Sequence, residues 1–322
     1  MTDLAIQTTG LTRRFGRVLA VDDVSLAVPA GSVYGYLGRN GAGKTTTIQM
    51  LVGLLLPAAG TVSVMGYDPF RQDVAMKRIV SYVPERVHLP DWMTVQQLMG
   101  FGRGMHPHWD GVLAEELRKR LDLPADRQIG KLSRGMQGKA ALLSALASRP
   151  NLLILDDPTM GLDALVRREF MQSIVAALSE TGTTVFFSSH LLEDVERVAD
   201  HIGILHEGRL VVQSSLEELQ AKVKRVIATF PEPLAVPPPS REGVGGGTSS
   251  AVPLTLPGTL HHLDEGRQQV WIVSDYSQDL LQRLHDAGAL SAYVENLSLE
   301  DIFVAYVRES GRPEAAAAGA EA

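Results

Sequence analysis

The 322 residues are 45% hydrophobic and 21% charged, the balance of a soluble globular chain with one large core and room for a smaller second domain. A net charge of −7 excludes the basic footprint of a general nucleic-acid binder, and the lack of cysteine excludes disulfides and thiolate metal sites. The N-terminal "MTDLAIQTTG" has neither the basic flank nor the apolar run of a secretory signal. The longest apolar stretch, "MLVGLLLPAAG" from Met50, is too short and too interrupted to span a bilayer, so any membrane role is expected to act through a partner.

Along the chain, "SVYGYLG" (32–38) predicts a strand and "TTTIQMLVGLL" after it a helix. From 94 to 148 helices dominate: Thr94 and Gln97 form a capping-box pattern, and Leu113, Leu117 and Leu121 repeat on one helix face. This reads as a helical insertion into an α/β core. Leu152 to Leu155 predict a buried strand, as does "TVFFSSH" (184–190), which is followed by "LLEDVERVADH" as an amphipathic helix. Strands alternating with helices predict a mostly parallel sheet covered on both faces.

Composition shifts after Phe230. Residues 231–258 are rich in Pro, Gly and Ser and read as a loop. Beyond it, "QQVWIVSD" predicts a strand and "SQDLLQRLHDAG" a helix, and "SLEDIFVAYVRE" predicts a helix capped by Ser298 and Asp301. The expected organisation is a main domain over 1–223, a small α+β domain over 224–310 and a flexible tail over 311–322.

Two stretches carry chemistry. "GRNGAGKTT" (38–46), between a predicted strand and a predicted helix, is a phosphate-binding loop: its glycines let successive N–H groups face a phosphate at a helix N-terminus. Lys44 is then expected at the β- and γ-phosphates, and Thr45 on Mg²⁺. The second stretch, "LLILDDP", ends an apolar strand in two acids, although an unpaired charge beside a core is costly. Asp156 has the place of an acid that holds Mg²⁺. Asp157 is placed to polarise an attacking water, or is a solvated turn acid before Pro158.

"KLSRGMQGKAALLSALASRP" (131–150) narrows the reading, because Ser133 lies 23 positions before Asp156. With these motifs the chain resembles the ATP-binding cassette (ABC) ATPases over residues 4 to about 220. "LSRGM" resembles their signature loop, "MGLD" (160–163) their D-loop, His190 their switch histidine and "SYVPE" (81–85) their Q-loop. Phe15 corresponds to the aromatic residue that stacks on adenine.

The resemblance implies a P-loop NTPase fold of ABC type: a mostly parallel core sheet with helices, an antiparallel β subdomain and a helical signature subdomain. It implies that ATP is held by Phe15, Gly38, Asn40, Gly41, Gly43, Lys44, Thr45 and Thr46, with Mg²⁺ on Thr45, Glu85 and Asp156. Two cassettes would pack head to tail, as homodimer or heterodimer. Ser133 and Gly135 would then serve the partner's γ-phosphate, and His190 that of its own subunit. It further implies an integral membrane permease as partner, a place at the cytoplasmic face of the membrane, and no nucleic-acid partner. The single cassette and the short C-terminal domain resemble bacterial exporters of the drug and antibiotic-resistance type.

Two positions depart from the family pattern: Glu85 stands for the Q-loop glutamine and Asp157 for the catalytic glutamate. An ionised Glu85 cannot donate a hydrogen bond as an amide does. Asp157 is one methylene shorter, and a misplacement of about 1 Å can cost on the order of 10²-fold in rate. Three outcomes stay open: a site refitted to the shorter acid, slow hydrolysis beside a more active partner cassette, or an ATP-dependent clamp. A working but modest ATPase is the reading taken. The rivals are a non-transport ABC ATPase acting on DNA or the ribosome, and a slow-hydrolysing regulatory cassette. Neither a heptad run nor a second P-loop is present to favour the first of these. Trp92 and Met93 suit either packing or a permease-facing groove, and His106 with His108 is too small a set for a metal site.

Overall fold

The computed structural model describes residues 3–160, 166–168, 170–172, 174–175, 182–233 and 255–310. Gly161–Asp163 of the D-loop, residues 234–254 of the Pro/Gly-rich loop and the tail 311–322 lie outside the described residues. The chain divides into two compact units, Met1–Leu216 and Glu217–Ala322, each described by itself.

The first unit opens with an antiparallel sheet in which β1 (Leu4–Phe15) pairs with β2 (Val18–Val24), β3 (Ala27–Pro29) and β5 (Ala59–Val64). Its second sheet has six strands: β4 (Val33–Leu37), β6 (Val80–Val83), β7 (Leu152–Leu155), β8 (Thr184–Ser189), β9 (His201–His206) and β10 (Arg209–Ser215). Their order is β10-β9-β4-β8-β7-β6, and only β10 runs antiparallel to its neighbour. Every residue of β4, β7 and β8 is buried, as expected of parallel strands covered on both faces.

Register then fixes the site. Leu37 pairs with Ser189, Leu155 with Phe187 and Val83 with Leu155, so β4, β8, β7 and β6 end side by side. Strand order, not sequence order, brings residues 38–44, 190, 156–157 and 84–85 to one edge.

Helix α1 (Lys44–Leu51) is shorter than its apolar run predicts. Gly53 stops it in the left-handed region at φ 76, and the N–H groups of Leu54 and Leu55 both fold back onto Gln49 O. A Cβ at Gly53 would lie 2.5 Å from Pro69 O, which is why glycine is needed there.

A short helix, α2 (Asp73–Lys77), precedes β6. The helical insertion is formed by α3 (Val95–Met105), α4 (Gly111–Arg120) and α5 (Arg134–Ala147). The Thr94–Gln97 capping box is present in both directions, at 2.9 and 3.1 Å. Leu113, Leu117 and Leu121 are all buried.

The second unit holds a four-stranded antiparallel sheet of β11 (Lys224–Thr229), β12 (Thr259–Glu265), β13 (Gln268–Val273) and β14 (Ser291–Asn296), in the order β12-β13-β11-β14. Trp271, Val226 and Val273 form its core with Leu280 and Leu284 of helix Asp279–Asp286. The helix Leu299–Ser310 starts at the expected cap, Asp301 N–H donating to Ser298 Oγ at 3.2 Å. Only β13 stands out in the sequence. The strands "TLHHLDE" and "SAYVEN" carry too few apolar residues, because the second half of β12 and most of β14 are exposed.

Candidate functional site

The loop after β4 is shaped by glycine. Gly41 and Gly43 adopt φ 84 and φ 107, and a Cβ at Gly43 would lie 2.3 Å from Ala20 O. Gly38 is equally confined, its Cβ position lying 2.7 Å from Leu205 O. Asn40 and Gly41 are exposed at the loop crest and Thr46 is half-buried on α1.

Lys44 begins α1 almost buried and curls back over the loop, Nζ donating to Gly38 O at 2.7 Å and Arg39 O at 3.2 Å. Burial lowers its pKa, because the ammonium loses water; Asp157, Asp156 and Glu85 oppose that fall by attracting the charge. These four residues are therefore one electrostatic group.

The two strand-end acids are buried, Asp156 to 1% exposure and Asp157 to 6%. Asp156 Oδ1 accepts from Thr45 Oγ1 at 3.1 Å and from Ser188 Oγ at 2.8 Å. Burial raises its pKa, and those two hydrogen bonds pull it back down. Asp157 has left-handed backbone, φ 42, unusual for a residue with a side chain. Its N–H donates to Ser188 Oγ at 2.8 Å, and its Oδ2 accepts from His190 Nδ1 at 2.6 Å. Its Oδ1 is buried with no hydrogen-bond partner among the described residues. Ser188 thus touches both acids, a role that sequence reading missed. The signal was present: two hydroxyls ending the buried strand "TVFFSS" are the same anomaly as two acids ending "LLIL".

The remaining predicted residues lie on other elements. Phe15 ends β1 half-exposed, with the Arg13 guanidinium 4.9 Å from the ring centroid and anchored on Leu56 O at 2.8 Å. Arg13 was not foreseen as its support. Glu85 lies half-buried beyond β6, lining a cavity of about 420 Å³ with Arg134, Gln137, Met160 and Phe170. Ser133 is the exposed N-cap of α5, accepting from Met136 N–H at 3.2 Å, and Gly135 lies in the first turn. Among the described residues no hydrogen bond joins Ser133 or Gly135 to the Lys44 group.

Trp92 and Met93 separate: Trp92 is exposed and Met93 belongs to the core. His106 stacks on Trp109 at 6.4 Å, and no group of three or more metal-type side chains occurs among the described residues.

The arrangement fits a nucleotide with Mg²⁺. Thr45 and Asp156 offer oxygen donors only, which suits a hard cation. Mg²⁺ takes few protein ligands and completes its shell with phosphate and water. The unpartnered Asp157 Oδ1 is a buried acceptor that a water beside the phosphates would satisfy.

Comparisons with known proteins agree in direction. A family profile described as ABC transporter matches residues 21–160. The bacitracin transport ATP-binding protein BcrA of Bacillus licheniformis is 35% identical over 224 residues, covering 69% of this chain and 73% of that protein. The daunorubicin/doxorubicin resistance ATP-binding protein DrrA of Streptomyces peucetius is 35% identical, covering 68% of each. A solved ATP-binding subunit of an ABC transporter is 25% identical with a TM-score of 0.61, covering 68% of this chain and 92% of that one. A dimeric ATP-binding cassette, in a post-hydrolysis state bound to ADP and phosphate, shares the fold at 22% identity and TM-score 0.58 over 66% of this chain and 98% of that one.

Proposed function

Because this chain belongs to the ABC transporter ATP-binding family and is an ATPase coupled to transport, we propose that its site hydrolyses ATP with Asp157 as the base, to drive an exporter. The observation that carries the assignment is Asp157 itself: buried, held at its backbone by Ser188 and at one oxygen by His190, with the other oxygen unpartnered. An acid fixed at two points with one free acceptor is built to take a proton from a positioned water. Phe15 stacks on adenine with its ring face opposite Arg13. The backbone amides of residues 38–45 hold the phosphates at the N-terminus of α1, and Lys44 reaches from its carbonyl partners to the β- and γ-phosphates.

Thr45, Asp156 and Glu85 would hold Mg²⁺, which when bound neutralises charge on the phosphate oxygens. His190 donates from Nδ1 to Asp157, so only its Nε2 can serve the γ-phosphate. The left-handed backbone of Asp157 and its clamp on Ser188 support refitting to the shorter acid. Glu85 adds charge where the family has an amide, and modest turnover is expected.

Ser133 and Gly135 stand apart from this group, which supports their serving a second cassette, packed head to tail as homodimer or heterodimer. No helix among the described residues is long and apolar enough to cross a membrane. The proposal therefore includes a separate integral permease and a place at the cytoplasmic face of the membrane. We assign the nucleotide-binding domain to 1–223 and a small α+β domain to 224–310. Two of the relatives are named for bacitracin transport and for daunorubicin/doxorubicin resistance, which favours export of an antibiotic-like compound here.

The test is Mg²⁺-dependent ATP turnover of the full chain with its permease, beside Lys44→Ala. Turnover absent in Lys44→Ala and present in wild type supports the reading. Equal turnover in the two overturns it. Recovery of the chain on ribosomes or DNA, with no membrane protein, would favour the non-transport rival.

A further inference from the structure

We infer that Ser188 is a positioning residue for ATP hydrolysis, a one-atom coupler that sets the Mg²⁺-side acid Asp156 and the water-side acid Asp157 relative to each other. The inference rests on the reading of Asp157 given above. Its basis is the hydroxyl's own inventory. A serine Oγ has one proton to give and lone pairs that accept. An ionised carboxylate can only accept, so the Ser188 proton must point at Asp156 Oδ1, 2.8 Å away. A backbone N–H can only donate, so Asp157 N–H must take a lone pair of the same oxygen, also at 2.8 Å. Neither bond can reverse, and Ser188 is fully buried, so water cannot replace either one.

The consequence differs for the two acids. At Asp156 the bond joins that from Thr45 on a single oxygen, Oδ1, which fixes the carboxylate plane. At Asp157 the bond holds the backbone rather than the side chain, at the one residue of the site with left-handed geometry and a side chain. That backbone sets the direction of a side chain too short to adjust by itself, and His190 then receives Oδ2 at 2.6 Å. An apolar residue at 188 would leave a buried N–H and a buried carboxylate oxygen each short of a partner. The residues proposed to hold the nucleotide, Phe15 and the loop 38–44, make no hydrogen bond to Ser188 among the described residues.

The experiment compares full-length wild type with Ser188→Ala, Ser188→Cys and Ser188→Thr. Cysteine nearly keeps the volume but forms weak hydrogen bonds, whereas threonine keeps the hydroxyl. The readouts are kcat for ATP, the Mg²⁺ concentration for half-maximal turnover, and ATP affinity in EDTA. Expected for Ala and Cys alike are a kcat at least about 10-fold lower, a raised Mg²⁺ requirement and metal-free ATP affinity within about 3-fold of wild type, with partial recovery in Thr. Wild-type kcat in Ser188→Cys would overturn the inference, since packing alone would then suffice. So would an unchanged kcat in Ser188→Ala, or a matching loss of metal-free affinity. Should Ser188→Ala fail to fold, Ser188→Cys carries the decision. Asp157→Asn run in parallel separates the two failures: if it keeps full turnover, the reading of Asp157 falls; if it is dead while the Ser188 variants are fully active, only the present inference falls.

Discussion

Asp157 and Gln269 are both buried polar residues beside a core, one in each unit, and their surroundings are opposite. Gln269 has its amide fully engaged: Nε2 donates to Asp264 Oδ1 at 2.6 Å and to Gly266 O at 2.9 Å, while Oε1 accepts from His262 Nε2 at 2.7 Å. The His262 ring in turn stacks on Trp271 at 5.0 Å. Asp157 Oδ1, equally removed from water, has no donor. A closed network needs nothing from outside and only holds its turn together. An open one keeps an unsatisfied acceptor at a cost to stability, which a bound reactant removes. The difference separates architecture from chemistry.

That contrast can be broken or sharpened by substitution. Asp157→Asn should lower kcat by on the order of 10²-fold or more, since a positioned base contributes at least that much. Asp157→Glu tests the fit: with His190 at 2.6 Å, the added methylene should reduce turnover, and steady-state ATPase assays decide. Higher turnover with Glu would show that the site is short of reach and that the chain binds and holds ATP. Phe15→Ala should raise KM for ATP by about 3- to 10-fold and leave kcat unchanged, the loss of one aromatic stack.

Gln269→Leu should leave ATP turnover at 25 °C untouched. It should destabilise its own unit by about 2 kcal/mol, read by calorimetry, because the partners of Gln269 are left unpaired. Altered turnover would mean that the closed network is not merely architectural. Asp156→Asn should have the smallest stability effect, with the opposite sign. The raised pKa of Asp156 means that the folded chain binds its proton more tightly than the unfolded chain. Its ionised form thus costs stability at pH above that raised value, and the cost disappears as pH falls through it. In EDTA at pH 7 the variant should melt at a higher temperature than wild type, read by calorimetry, while Mg²⁺-dependent turnover is lost.

The fold was legible wherever pattern and burial coincide. Continuous apolar runs mark β4, β7 and β8, and the capping boxes at Thr94 and Ser298 mark real helix starts. Strands β12 and β14 were not legible, because more than half of their positions are exposed and few are apolar. The strand-end acids, Lys44 and the loop glycines could be named from the sequence, and the sheet brings them to one edge. What no one-dimensional pattern revealed was Ser188 as the link between Asp156 and Asp157, Arg13 behind Phe15, and the backbone twist at Asp157. The Ser188 link depends on which strand lies beside which, whereas Arg13 and Phe15 share one face of β1. Residues 31 positions apart meet only because β7 and β8 are neighbours.

Strand β8 is wedged between β4 and β7, although it follows both in the chain by many residues. A chain still being synthesised, released only as far as β7, would have its phosphate loop and its two acids without the strand that spaces them. The spacing between the phosphate loop and the two acids is therefore complete only once Ser189 has emerged. Once the wedge is seated, a ligand present at 100 times its Kd adds about 2.7 kcal/mol to the finished fold.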